Sequence, residues 1–115
     1  MSYEFDKAIC ELLNAIKRDY YDFTSRKGTR ELTDVNKRMI DEFNAGLSIQ
    51  EGKKYVKIVS KGSVWGFIVK VSEDKFRAGD ILKAASWASP AKNSARGNIY
   101  ENYSVAWTGP HYLRG

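Results

Sequence analysis

At 115 residues, with 43% hydrophobic and 13% aromatic content, the chain is expected to fold as one domain with its own core. This composition excludes an intrinsically disordered protein, and no apolar run approaches the roughly 20 residues needed for a membrane-spanning helix. The formal net charge of +5 is unevenly placed: residues 1–50 hold eight Lys/Arg against nine Asp/Glu, and residues 51–115 hold eleven against five. The second half should therefore carry a positive field.

In chain order, Phe5, Ile9, Leu12, Ile16, Tyr20 and Phe23 recur at steps of three or four. This spacing predicts an amphipathic helix starting near Ser2 and ending before Gly28. A basic turn follows, with Arg26, Lys27 and Arg30 around Gly28. A second helix is predicted next, with Thr33 as its cap, Asp34 at the positive end of the dipole, and Val35, Met39, Ile40 and Phe43 as its apolar stripe. Gly46 followed by Leu47 reads as a Schellman ending.

After Gly52 the period changes to two. Tyr55–Val59 and Val64–Val71 read as strands joined at Lys61-Gly62 into an antiparallel hairpin. Ser72 to Asp80 reads as a polar turn, Ile81–Trp87 as a third strand and Tyr103–Trp107 as a fourth. The expected fold is α+β, an N-terminal helical pair over residues 1–47 followed by a mostly antiparallel sheet over 53–114, in a single domain 1–115.

Tests for catalysis return little. The single histidine, His111, and the single cysteine, Cys10, fall in a C-terminal loop and the first helix, and nothing in the sequence pairs them. Two such residues also fall short of the four ligands of a structural zinc site, so no metal and no cofactor are expected. The acidic pairs Asp41-Glu42 and Glu73-Asp74 read as solvated surface. Neither a P-loop nor a dinucleotide fingerprint occurs, and the chain is not expected to be an enzyme. One cysteine suits a reducing compartment, and MSYEFDKAIC shows no basic region leading into an apolar one. The cytoplasm is the expected location, with no membrane partner.

The stretch from Ile81 to Leu113 is the expected seat of function. Its loop of small and polar residues carries Lys92, Asn93, Arg96 and Asn98, with Gly97 for unusual backbone geometry and Trp87, Tyr100, Tyr103 and Trp107 nearby. From Ile81 onward Glu101 is the only acidic residue. An arginine fork, an amide and a flexible backbone suit a phosphate or ribose, and an aromatic face stacks on a base. The same aromatics, Trp65, Phe67, Tyr103 and Trp107, can equally fill the core. Trp87, at a strand end beside small residues, is the least core-like of the tryptophans.

The runs KGSVWGFIV, GDILKAASWASPAKNSARGNIY and WTGPHYL resemble small phage- and prophage-encoded proteins, and among them are similar to the Thoeris anti-defence signal sponges. The resemblance covers residues 53–114. It implies a phage protein of the host bacterial cytosol that binds and sequesters a cyclic ADP-ribose isomer without cleaving it, and so keeps a downstream effector inactive. It also implies a homodimer or higher homo-oligomer, with cyclic oligonucleotides as further ligands of some members. The recognition residues it suggests are Trp87, Lys92, Asn93, Arg96 and Asn98, with Phe67 and Tyr103 as stacking partners. Arg26, Lys27 and Arg30 are candidates for a second anion site, and an exposed solvated turn is the alternative. A small phage nucleic-acid-binding protein and an inhibitor of a host protein are the competing functions.

Overall fold

A computed structural model of the protein describes residues 3–26, 31–72, 75–91, 95–101 and 103–110. Helix α1 (Tyr3–Ser25) buries Phe5, Ala8, Ile9, Leu12, Ile16 and Tyr20 along the expected stripe, and Glu4 and Asp6 in its first turn favour the helix dipole. Phe23, at the end of that stripe, stands 63% exposed. Helix α2 (Asp34–Gly46) begins at Thr33. The Thr33 hydroxyl accepts from the Asn36 backbone N–H at 3.1 Å, and the Asn36 side chain accepts from the Thr33 N–H at 3.3 Å. This reciprocal cap satisfies two of the helix's orphan donors. Ile40 and Phe43 are buried, whereas Val35 and Met39 face solvent.

The Schellman ending does not form. Leu47 is extended, with φ −89° and ψ 119°, and the chain passes straight into β1 (Leu47–Glu51), a strand the hydrophobic pattern does not announce. Gly46 owes its identity to a close approach instead: its carbonyl accepts from the Lys61 N–H at 3.0 Å. A Cβ there would lie 2.9 Å from the Lys61 side chain.

Four strands, β1, β2 (Tyr55–Ser60), β3 (Ser63–Val69) and β4 (Ile81–Leu82), form an antiparallel sheet in that order. The β2–β3 hairpin turns at Lys61-Gly62, both with positive φ (48° and 78°), the backbone a tight two-residue turn requires. The third strand is shorter than expected, ending at Leu82. The predicted fourth strand is two residues, β5 (Val105–Ala106), paired with β6 (Gly109–Pro110) in a separate small sheet.

One irregularity organises the sheet. Ile58 pairs with Gly66 and Val59 with Val64, so Trp65 is an extra residue in β3. This bulge breaks the alternation that would otherwise put Trp65 and Phe67 on one face. Trp65 joins Val56, Ile58, Ile68 and Ile81 against the helices. Phe67 joins Val69, Phe76 and Leu82 on the opposite face, under the loops. Among the described residues, no helix is long and apolar enough to cross a membrane.

Candidate functional site

The loop-covered face of the sheet carries a groove of about 230 Å³ built from β1, the β1–β2 turn, β2, β3 and the loop after β4. On β2, Tyr55 and Lys57 alternate onto this face, and Lys57 pairs directly across from Phe67. The Tyr55 ring meets the Phe67 ring edge-on at 6.0 Å, which makes an aromatic floor. Lys53, Lys54 and Lys57 line the groove against one acid, Glu51. Glu51 is itself engaged: Lys70 Nζ donates to its Oε2 at 2.7 Å and to the Gly52 carbonyl at 2.8 Å. The hydrogen bond and charge of Lys70 hold the Glu51 carboxyl below the usual glutamate range. The lining therefore keeps an excess of positive charge.

Beside the groove stands Trp87. It sits at the tip of a tight loop in which Ala85 and Ser86 N–H groups donate to the Ser89 carbonyl at 3.0 and 3.1 Å. Ala91 N–H donates to the Lys83 carbonyl at 2.7 Å, and Ala84 bridges to Pro90. Alanines and serines around the tip leave the indole 50% exposed, beside Ala88 of the groove lining. Lys57 Nζ lies 4.3 Å from the centre of the Trp87 ring, a cation–π contact that ties the indole to the cationic lining. A flat ring on Trp87 with an anionic group among the lysines is what this surface complements chemically.

Of the expected site residues, Phe67 and Trp87 are at this groove, whereas Asn98 belongs to a bracing network. Phe67 is 3% exposed and contributes to the groove floor from beneath. Asn98 is 4% exposed and turned inward. Its amide donates to the Ala78 carbonyl at 3.1 Å and to Asp80 Oδ1 at 3.0 Å, while its Oδ1 accepts from Tyr100 N–H at 2.9 Å. Every polar atom of that side chain is thus engaged inside the protein. Arg96 is likewise enclosed, 3% exposed, with its backbone N–H donating to Ile81 at 2.7 Å. Gly97, at φ 146°, provides the unusual geometry expected of it.

Tyr103 belongs elsewhere. It packs on the helix-facing core and bridges to Gly97. Burial, with a lesser contribution from the Glu11 carboxylate, pushes its hydroxyl above the ordinary tyrosine range. The structure thus does not bring Tyr103 together with Phe67 and Trp87. Glu101 is gripped by Arg77 through two hydrogen bonds of 2.8 and 3.2 Å. Of the proposed second anion site, Arg26 is exposed at the end of α1 with φ 50°. Lys27 and Arg30 lie outside the described residues, as do Lys92, Asn93 and His111.

Sequence reasoning missed Lys53, Lys54, Tyr55 and Lys57. The available signal was the spacing itself: Tyr55 and Lys57 alternate on a strand, next to the paired lysines of a turn. Among the described residues, no group of three or more His, Cys, Asp or Glu is placed to hold a metal ion.

The chain belongs to a family of unknown function, DUF7717, whose match spans residues 2–111. No curated protein and no solved structure matches it.

Proposed function

We propose that the protein binds a small anionic ligand carrying a planar ring, a nucleotide of the cyclic ADP-ribose type, and holds it without cleaving it. The observation that carries this reading is the junction of Trp87 with Lys57, at 4.3 Å, on a groove that Lys53 and Lys54 also line. At about 230 Å³ the groove suits a phosphate-bearing portion of the ligand, while the half-exposed indole takes the base. Lysines are point-charge phosphate partners, and their attraction is strengthened where the floor is apolar. Sequestration needs cations and a stacking surface but no acid–base pair; three lysines line this groove and an exposed indole stands beside it. Assembly as a homodimer or higher homo-oligomer in the host bacterial cytosol is part of the same reading.

The test is ligand capture. The purified protein is incubated with cyclic ADP-ribose isomers, separated from free ligand and heat-denatured, and the released small molecule is analysed. Recovery of intact nucleotide is the expected result. Recovery of a cleaved product would make the protein an enzyme. No captured nucleotide, with binding of single-stranded oligonucleotides instead, would overturn the reading in favour of a strand binder. Native mass spectrometry of the same sample gives the assembly state.

A further inference from the structure

A second cavity, of about 540 Å³, opens on the helix side of the β2–β3 turn, between α1, α2 and the β5–β6 turn. Its volume falls within the range of small-molecule pockets, and its floor is a packed cluster of aromatic rings. Tyr20 and Phe43 stack face to face at 4.2 Å with 4° between their planes. Trp107 stands at right angles to both, 5.2 Å from Tyr20 and 6.1 Å from Phe43. Phe23 leans on Trp107 at 5.3 Å. Two hydrogen bonds fix the cluster in place: Trp65 Nε1 donates to the Ala106 carbonyl at 2.8 Å, and Trp107 N–H donates to Asp19 Oδ2 at 2.9 Å. The mouth is apolar and wet, with Phe23 63% and Met39 41% exposed, so a ring entering it removes hydrophobic surface from water.

The polar part of the lining has one sign. Lys61 is its cation, Ser60, Ser63 and Thr108 add hydroxyls, and no Asp or Glu lines it among the described residues. The Lys61 backbone is set by the hairpin turn at φ 48° and bonded to the Gly46 carbonyl at 3.0 Å, which puts its side chain at the cleft. We propose that this cleft binds a planar aromatic carboxylate, with its ring against Phe23, Met39 and Trp107 at the mouth and its carboxylate at Lys61 and the rim hydroxyls. One ammonium beside an aromatic floor suits a single carboxylate. The three-lysine groove on the opposite face suits a polyanion. The two sites therefore select different ligands.

The chain has three tryptophans, and two of them, Trp65 and Trp107, line this cleft while Trp87 does not. Their indole N–H resonances in a proton–nitrogen correlation spectrum report where a ligand sits. The probes are 2-naphthoate, 2-naphthalenemethanol and 2-naphthylmethylammonium, which share a ring and differ in charge. The expected result is saturable shifts at Trp65 and Trp107 with Trp87 unmoved. Naphthoate should bind about five- to tenfold tighter than the alcohol, and the ammonium weakest, as one charge-assisted contact implies.

Lys61→Asn keeps a residue that tolerates the left-handed turn and should abolish the preference for the carboxylate. Phe23→Ala, at an exposed position, should weaken all three probes about tenfold while the rest of the spectrum is preserved. Equal binding of the three probes, shifts confined to Trp87, or an undiminished carboxylate preference in Lys61→Asn would each overturn the proposal. Concentration-dependent broadening of Trp65 and Trp107 without ligand would do so as well, by showing a second copy seated in the cleft. Should Phe23→Ala fail to fold, Lys61→Asn decides alone.

Discussion

Two loops that look alike in sequence do opposite things in the structure. Both are rich in small and polar residues, yet the segment around Asp80 and Asn98 turns its polar groups inward, whereas the loop around Trp87 turns its one large side chain outward. Asp80 accepts from Arg77 N–H and from the Asn98 amide, at 2.9 and 3.0 Å, and the pair locks the chain reversals at Gly79 and Gly97. The Trp87 loop is closed by its own backbone hydrogen bonds. An amide in a glycine-containing loop is thus as well explained by loop architecture as by a ligand. What separates the two cases is whether the hydrogen-bonding capacity is already filled.

Four changes break or sharpen that contrast, in order of expected size. Gly79→Ala attacks the brace at its tightest point, since φ is +90° and the new Cβ would lie 2.9 Å from both Asn98 Oδ1 and the Tyr100 ring. A loss of about 2–4 kcal/mol in denaturant unfolding is expected. Asn98→Ala leaves the buried Asp80 carboxylate and the Tyr100 N–H short of partners and should cost about 1–3 kcal/mol by the same measurement. Nucleotide affinity of the protein that remains folded should stay within about twofold, because the side chain faces away from the groove; a large loss of affinity at unchanged stability would return Asn98 to the ligand.

Trp87→Ala should behave in the reverse manner. Stability changes by about 0.5 kcal/mol or less, as at other exposed positions, while nucleotide binding measured by calorimetry weakens by about 1–3 kcal/mol. Severe unfolding of this variant would make Trp87 a structural residue. The smallest effect concerns pH. Lys70 holds the folded-state value of Glu51 down, so the pair's contribution is present above the ordinary glutamate range and is lost as pH falls through the depressed value. The pair is solvent-exposed, so Glu51→Gln should scarcely change the acid limb of a thermal-stability profile. A marked change there would show that the pair closes the β1–β2 turn more firmly than an exposed pair does.

Helix α1 is legible in the sequence because Phe5 to Tyr20 repeat at helical spacing against a polar remainder, and the Thr33 cap and the Lys61-Gly62 turn are legible because each has its own local chemistry. Strand β1 is not. It lies at the sheet edge with four of its five residues exposed, so no alternation of buried and polar residues marks it. Without β1 the turn that presents Lys53 and Lys54 has no visible partner, and the groove goes unread. Trp87 could be picked out from the small residues around it. The placement of Asn98 could not, because inward and outward orientations of a loop amide share one sequence pattern.

The bulge at Trp65 has a practical consequence for redesign. In a regular strand, positions two apart share a compartment and must be varied together to keep one packing volume. Here Trp65 borders the aromatic cleft and Phe67 the lysine groove, on either side of a single β3. A combinatorial library at the cleft can therefore be screened with the groove as an untouched internal reference, and the converse holds for a library at the groove. The extra residue makes one strand into two separately adjustable walls.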